Sequence, residues 1–261
     1  MASPPDPTQR FRLDEQTAIV TGASSGLGSR FARVLAAAGA NVVVAARRRA
    51  RLEALVDDLR SEGADAVAVE CDVTVDPEVE RLIGAGMEVT GHLNVLVNAA
   101  GIAPAEDEEI ESPDLFRRVL EVNTVGLYLC TRAAARVMLD RDGGSIVNVA
   151  SISGLVAGDG PDTPSYAASK GAVVNLTREL AVRWAPRGVR VNALAPGWFP
   201  SEMTAETLSG EAGRQFVNER TPLGRPGLPD ELDGALLFLA SEASSYVTGH
   251  TLVVDGGWTA R

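Results

Sequence analysis

The chain has 261 residues, 45% of them hydrophobic, and a formal net charge of −11 at pH 7. This size and composition suit one α/β domain with a substantial core. Because an acidic surface repels phosphate groups, we expect no nucleic-acid partner and no anionic-membrane partner. The two cysteines and two histidines show no metal-ligand spacing, so we predict buried thiols and no metal site.

The N-terminal segment M-A-S-P-P-D-P-T-Q-R contains three prolines and no apolar run. It predicts a disordered lead-in over residues 1–12 and shows no secretory signal. No later stretch approaches the 18 uninterrupted apolar residues of a membrane span. We therefore expect a cytoplasmic protein.

Seven short apolar runs, rich in Val or Ile, recur along the rest of the chain. Their length and two-sided apolarity are typical of strands buried on both faces of a parallel sheet. The runs are T-A-I-V (17–20), N-V-V-V-A-A (41–46), A-V-A-V-E (66–70), L-N-V-L-V-N (93–98), S-I-V-N-V-A (145–150), V-R-V-N-A-L (189–194) and T-L-V-V-D (251–255).

The segments between these runs are long enough for crossover helices. One helix is predicted from Gly28 to Ala38, before Gly39, and another from Ser112 to Leu139, opened by S-P-D. Strands alternating with helices predict an α/β protein with a doubly wound Rossmann fold. We expect a single domain over residues 13–261, with seven parallel strands and helices on both faces. Ligands of such folds bind beyond the carboxyl ends of the strands.

A glycine-rich loop, T-G-A-S-S-G-L-G (21–28), joins the first strand to the first helix. Glycines allow a tight turn and a close approach to a pyrophosphate, and the helix N-terminus offers free amides. A plain tight turn would need glycines too, but the strand before and the helix after match a dinucleotide site. The predicted cofactor contacts in this loop are Gly22, Ser24, Ser25, Gly26, Leu27 and Gly28.

The second strand ends without the acid that usually contacts the adenosine ribose of NAD. It is followed instead by Arg47, Arg48 and Arg49. A guanidinium suits a phosphate group, so we predict a preference for NADP(H), with Arg47 as the foremost contact and Arg48 beside it. A solvated basic helix start is the alternative interpretation, and NAD(H) the alternative cofactor.

Two further strand ends contribute to the predicted cofactor site. C-D-V follows the third strand, so that Asp72 receives the adenine amino group or caps the next helix near Pro77, with Val73 beside it. N-A-A-G (98–101) follows the fourth strand, and small residues there let the chain pass close to a ribose. We include Asn98, Ala99 and Gly101 among the predicted contacts.

The segment Y-A-A-S-K (166–170) carries the strongest chemical signal. Tyr166 and Lys170 are four residues apart and so share one helix face. The free phenol has a pKa of about 10, and a neighbouring ammonium lowers it. The pair is thus a general acid/base candidate near neutral pH. Lys170 is also the one lysine in a chain with 23 arginines, which suggests a site that needs a compact ammonium.

These motifs together resemble the short-chain dehydrogenase/reductase family over nearly the whole chain. The matching segments, in order, are T-G-A-S-S-G-L-G, N-A-A-G, V-N-T-V-G (122–126), the serine segment after strand five, Y-A-A-S-K, N-A-L-A-P-G (192–197) and T-G-H-T-L-V-V-D-G-G (248–257). The glycine spacing is also that family's version. The similarity is greatest to the branch of 3-oxoacyl-ACP reductases and gluconate 5-dehydrogenases.

The resemblance implies a role for each matching residue. Tyr166 exchanges a proton with the substrate oxygen, and Lys170 lowers its pKa and binds the nicotinamide ribose. Asn123 lies in a helix irregularity and holds a water that joins Lys170 to solvent. A serine polarises the carbonyl. The cofactor contacts implied after strand six are Pro196, Gly197, Phe199 and Ser201, where Ser201 replaces the usual threonine.

The identity of the polarising serine is open between two positions. Counting thirteen residues back from the tyrosine, as is common in the family, selects Ser153. Alignment from strand five selects Ser151, with Gly154 three residues later and two extra residues in the loop 158–164. We prefer Ser151.

The expected activity is hydride transfer between NADP(H) and a ketone or secondary alcohol of a small-molecule substrate. Trp198, Phe199 and the following residues predict a substrate lid around 198–220. The resemblance also implies a homotetramer. The alternatives are an NAD(H)-dependent alcohol dehydrogenase of the same fold and a dinucleotide-binding sensor without catalysis, against which the complete Tyr166, Lys170, Asn123 and Ser151 set argues.

Overall fold

The computed structural model describes residues 6–104, 111–141, 143–157 and 164–261. Within them, every predicted apolar run is a strand, with ends that agree to within two residues. The strands are β1 (Thr17–Thr21), β2 (Asn41–Ala46), β3 (Ala66–Glu70), β4 (Val95–Asn98), β5 (Gly144–Val149), β6 (Val189–Pro196) and β7 (Thr251–Val254).

The described strands form one parallel sheet in the order β3-β2-β1-β4-β5-β6-β7. The chain reverses its direction of winding between β1 and β4, where Ile19 pairs with both Val43 and Leu96. Ligands of doubly wound sheets bind at this switch point. The predicted Rossmann fold is therefore confirmed.

The α-helices connect the strands and cover both faces of the sheet. They are α1 (Gly26–Ala37), α2 (Arg49–Ser61), α3 (Asp76–Thr90), α4 (Pro113–Leu120), α5 (Leu127–Leu139), α6 (Pro164–Trp184), α7 (Ala205–Ser209), α8 (Glu211–Arg220) and α9 (Asp233–Ala240). Short 3-10 helices lie at Pro7–Phe11, Ile152–Gly154, Ala185–Arg187, Pro229–Leu232, Glu242–Ser244 and Trp258–Ala260. None of these described helices combines the length and apolarity that crossing a bilayer requires.

Alternate residues of each strand supply two separate cores, because successive side chains point to opposite faces. Ala18 and Val20 pack with α1, α2 and α9, whereas Ile19 packs with α3, α5 and α6. The interior is built mainly from Ala, Val and Leu.

Two predicted boundaries need correction. The lead-in is not irregular through residue 12, since Pro7–Phe11 is helical and Arg10 donates to the Glu242 carbonyl at 2.9 Å. The helix predicted from Ser112 to Leu139 is divided by a π-helical turn, Glu121–Gly126. At its start Ser112 accepts from the Leu115 amide, which makes Ser112 the N-cap.

Candidate active site

A cavity of about 460 Å³ opens at the carboxyl ends of the strands, beside the switch point. This volume is in the range of small-molecule and cofactor sites. Every predicted cofactor residue except Asn98 lines it, as do Ser151, Tyr166 and Lys170. The fold thus brings motifs from the ends of six strands and from one helix around a single cavity.

The glycine loop has the geometry of a phosphate-binding turn. Gly22 and Gly26 have φ of +70° and +53°. A Cβ on Gly28 would lie 2.4 Å from the Gly22 carbonyl oxygen, so a side chain there would displace the backbone. The N-cap of α1, Ser25, makes no side-chain cap bond, and the first turn carries no acid. The amides of this turn are therefore suited to an anion in the cavity.

The two arginines after β2 line the cavity in different ways. Arg47 is largely exposed, and its Nη1 lies 4.0 Å from Oδ2 of Asp72. Arg48 instead lies over the glycine loop, where it donates to Ser24 Oγ at 3.0 Å and to Ser25 Oγ at 2.6 Å. Both positions could receive a phosphate on the adenosine ribose.

Asp72 closes its own turn and does not cap α3, whose N-cap is Val75. Its Oδ1 accepts from the amide of Thr74 at 3.0 Å and from the Thr74 hydroxyl at 2.7 Å. Burial alone would raise the pKa of Asp72, but the bonds from Thr74 outweigh it and hold the pKa below its ordinary value. The carboxylate is ionised and lines the cavity.

The structure does not bring Asn98 to the cavity, which corrects that prediction. Its amide donates to Thr131 Oγ1 at 2.8 Å and to Asn148 Oδ1 at 2.9 Å. Asn148 continues the chain of bonds to Thr177. All four side chains are buried, so Asn98 joins the sheet to α5 and α6, and the small residues after it line the site.

Tyr166 and Lys170 meet on the first turns of α6, on the face toward the cavity. The ammonium of Lys170 lies 5.6 Å from the Tyr166 ring centroid and donates to the Val149 carbonyl at 2.8 Å. Burial lowers the pKa of Lys170 to about 8. A compact cation therefore lies beside the phenol in a site that excludes most water.

The start of α6 is held by a residue that sequence reasoning missed. The Glu111 carboxylate accepts from the Ser165 amide at 2.9 Å and from its hydroxyl. An acid at a helix N-terminus stabilises the first turn, and this turn carries Tyr166. The neighbouring segments 105–110 and 158–163 lie outside the described residues.

Asn123 occupies the π-helical turn, which confirms the predicted helix irregularity. Its side chain is fully buried and does not line the cavity. It accepts from the Ile102 amide at 2.8 Å and donates to the Ile102 carbonyl at 2.9 Å and to Ser169 Oγ at 3.0 Å. Gly101 lies beside Lys170, because a Cβ added to Gly101 would be 3.7 Å from Lys170 Nζ. The bonds of Asn123 therefore hold residues 101–102 next to the ammonium.

Ser151, and not Ser153, lines the cavity. Ser151 follows β5 and caps the 3-10 turn Ile152–Gly154 by accepting from the Ser153 amide at 3.1 Å. Its hydroxyl also contacts that of Ser153 at 3.1 Å. The two extra residues counted in the loop 158–164 fall largely outside the described residues.

The segment after β6 passes over the glycine loop. Phe199 is buried and packs against Gly227, where a Cβ would lie 2.2 Å from the ring. Ser201 forms a tight turn with Thr204, whose hydroxyl donates to the Phe199 carbonyl at 2.6 Å. Trp198 does not line the cavity. Its ring contacts those of Phe216 (6.3 Å) and Trp258 (6.1 Å).

Several lining residues were not predicted: Ala46, Cys71, Ala100, Ile102, Val122, Val149, Ala150, Glu202, Met203 and Thr204. Most are small or apolar side chains that no local motif marks. Cys71 is a free thiol whose pKa burial raises to about 11, so it stays protonated near neutral pH. No group of three or more potential metal ligands occurs in the described part of the chain.

The chain is similar in sequence to known dehydrogenases and reductases. The enoyl-(acyl carrier protein) reductase family model matches residues 22–259. Galactitol 2-dehydrogenase (L-tagatose-forming) of Cereibacter sphaeroides is 44% identical, over 95% of this chain and 97% of its own length. A 3-oxoacyl-[acyl-carrier-protein] reductase of Synechocystis is 39% identical, over 94% of this chain and 97% of its own length.

A gluconate 5-dehydrogenase from Burkholderia cenocepacia, solved in complex with NADP and tartrate, has the same fold. Its TM-score is 0.91 at 38% identity, over 97% of this chain and 98% of its own. Together, the glycine loop, the Tyr166–Lys170 pair, the sheet order and these similarities place the chain in the short-chain dehydrogenase/reductase family of oxidoreductases.

Proposed function

We propose that the protein transfers a hydride between NADP(H) and a ketone or secondary alcohol, with Tyr166 as general acid/base. One observation carries the proposal. Ser151, Tyr166 and Lys170 line the same cavity as the glycine loop and the two arginines after β2. The residues predicted to bind the cofactor and those predicted to act on the substrate therefore line one cavity.

The residues present fit a nicotinamide dinucleotide. The open face of the glycine loop suits a pyrophosphate, and a Cβ on Gly26 would meet only Ser201, at 3.4 Å. When bound, NADP(H) supplies or accepts the hydride. Arg47 and Arg48 would hold a ribose phosphate, and Lys170 would contact the nicotinamide ribose. Pro196, Gly197 and Phe199 would bound the nicotinamide side of the cavity.

Each catalytic side chain has a separate task. Tyr166 exchanges the proton with the substrate oxygen. The Ser151 hydroxyl donates a hydrogen bond to that oxygen and polarises the carbonyl. Lys170 stabilises the phenolate form of Tyr166, because its charge acts through a poorly solvated medium. Asn123 holds the turn beside Lys170. The family resemblance implies that a water bound there joins Lys170 to solvent.

The proposed substrates are polyols, sugars or sugar acids. Support comes from the similarity to galactitol 2-dehydrogenase and to gluconate 5-dehydrogenase bound to tartrate. The segment 198–220 would cover the substrate, since Phe199 and Ser201 line the cavity and α7 and α8 follow directly.

A fluorescence titration with NADPH and NADH tests the cofactor assignment. We expect clearly tighter binding of NADPH. A panel of polyols, sugar acids and a 3-oxoacyl thioester, assayed with the preferred cofactor, then tests the substrate class. Turnover of the thioester alone would contradict the polyol assignment, and binding of neither cofactor by folded protein would contradict the function.

We propose a homotetramer, as the family resemblance implies, with one interface at β7, which lies at the edge of the sheet with half-buried side chains. Light scattering after size exclusion chromatography tests the number of subunits.

We also propose a cytoplasmic location, because both cysteines are free thiols, as in reducing compartments. Microscopy of a fluorescent fusion in the source cells tests it.

A further inference from the structure

Glu202 places a carboxylate inside the site proposed for a cofactor phosphate. It lines the cavity, and its Oε2 lies 3.0 Å from Nη1 of Arg48. Arg51 forms a second ion pair with the same carboxylate. Hydrogen bonds from Arg51, Ser25 and Arg48 lower the pKa of Glu202 to about 2. The group is therefore an anion at any physiological pH.

The partners of this carboxylate are the donors that a phosphate would need. Arg48 also donates to Ser24 and Ser25, so one guanidinium joins the glycine loop to Glu202. Charge-assisted bonds from arginine suit carboxylate and phosphate oxygens alike. The protein thus supplies its own anion to this set of donors.

Glu202 lies on a short, internally bonded turn. Thr204 donates through its amide to Ser201 Oγ at 3.2 Å and through its hydroxyl to the Phe199 carbonyl. The turn lies against the glycine loop, where Ser201 Cβ is 3.4 Å from the position of a Cβ on Gly26. A phosphate entering beside Arg48 would therefore meet both the Glu202 charge and the turn that carries it.

We propose that Glu202 is a specificity-determining residue that competes with the ribose phosphate of NADP(H) for Arg48 and Ser25. The inference rests on the proposed function and concerns the same site. A phosphate carries up to two negative charges, so it cannot share these donors with the carboxylate without strong repulsion. NADH lacks this phosphate and leaves the Glu202 ion pairs intact. Glu202 therefore weakens the binding of NADPH but not of NADH. It reduces the preference for NADPH over NADH that Arg47 and Arg48 create.

Calorimetric titration of the wild type, Glu202→Gln and Glu53→Gln with NADPH and NADH tests this. Glu53 pairs with Arg49 on the exposed side of α2 and does not line the cavity, so its variant removes one nearby charge without touching Arg48. If the carboxylate occupies Arg48 in about nine molecules of ten, Glu202→Gln should bind NADPH about tenfold more tightly. Its NADH affinity, and both affinities of Glu53→Gln, should change less than about twofold on the same basis.

The remaining outcomes separate the two proposals. Wild-type binding of NADPH with an unchanged NADPH-to-NADH ratio in Glu202→Gln would overturn the inference and leave the proposed function standing. Weaker NADPH binding by Glu202→Gln would also overturn it, since the carboxylate would then support the bound state. Binding of neither cofactor by the wild type would remove both proposals. Thermal unfolding of each variant confirms that the titrated protein is folded.

Discussion

The ammonium of Lys170 donates a 2.8 Å hydrogen bond to the carbonyl oxygen of Val149, at the last residue of β5. The bond joins α6 to the carboxyl end of the sheet and directs the cation to the cavity. Lys170 is only 5% exposed, and this burial lowers its pKa to about 8. The site therefore contains an ammonium whose charged form is destabilised by burial.

Burial of Lys170 should make the stability of the protein depend on pH. The Lys170 pKa is about 8 in the folded chain and 10.5 ordinarily, so between these values the unfolded chain binds more protons. Stability should rise with pH across this window. Below pH 8 the buried charge costs up to about 3 kcal/mol. Lys170→Met should thus be more stable at pH 7, with the difference shrinking toward pH 10.5, as measured by urea unfolding.

A spectroscopic measurement provides the control for this prediction. Because Lys170 is the one lysine of the chain, selective ¹³C-lysine labelling yields a single ε-methylene resonance. Its titration midpoint in the cofactor-free protein should lie near 8. A midpoint at the ordinary lysine value, or parallel stability curves for both proteins, would contradict the prediction.

Tyr166→Phe removes only the phenol oxygen that we assign to proton exchange. We expect kcat to fall by about 10²–10⁴-fold, the usual contribution of a general acid/base, while NADPH affinity stays nearly unchanged. Tyr246→Phe is the matched control, because Tyr246 is fully exposed. Equal losses in both variants, or full activity in Tyr166→Phe, would rule out the assignment.

The two candidate serines can be separated by paired alanine variants. Ser151→Ala should lower kcat about 10²-fold or more, as expected for a donor to a developing oxyanion. Ser153→Ala should have a much smaller effect, because Ser153 does not line the cavity. Steady-state kinetics and a thermal melt of each variant make the comparison, and the reverse order of effects would select Ser153.

Arg47→Ala should reduce the preference for NADPH over NADH by removing a guanidinium from the adenosine end of the cavity. We expect NADPH to bind about tenfold more weakly, in line with the loss of one charge-assisted contact of about 1.5 kcal/mol at a largely exposed side chain. Arg49→Ala controls for the lost charge, since Arg49 pairs with Glu53 outside the cavity. An unchanged preference in Arg47→Ala would transfer the phosphate contact to Arg48.

Local sequence patterns were sufficient for the fold class and for the main chemical groups. The apolar runs predict the strands because a buried parallel strand needs apolar residues on both faces. The glycine loop and the Tyr166–Lys170 pair are equally local, since each is set by a single turn or by helix periodicity. The helix irregularity at Asn123 was also predicted, because the segment V-N-T-V-G (122–126) resembles a motif of the family.

The misplacement of Asn98 and the omission of Glu111 share one cause, which is contact between distant parts of the chain. Asn98 belongs to a cofactor-site motif, yet its side chain bonds to Thr131 on α5, 33 positions away. Glu111 caps α6 from 54 positions away. Neither side chain carries a local signal that states which partner it will meet.

The sequence by itself determined a doubly wound nucleotide-binding fold and the Tyr166–Lys170 pair, because these depend on periodicity and on turns within one segment. Only the tertiary structure decided that Arg48 lies over the glycine loop, that Ser151 lines the cavity, and that Glu202 reaches Arg51 across 151 positions. The physical reason is that charges and hydrogen-bond partners are chosen by spatial proximity. That proximity exists only once the parallel strands bring their carboxyl ends to one edge of the sheet.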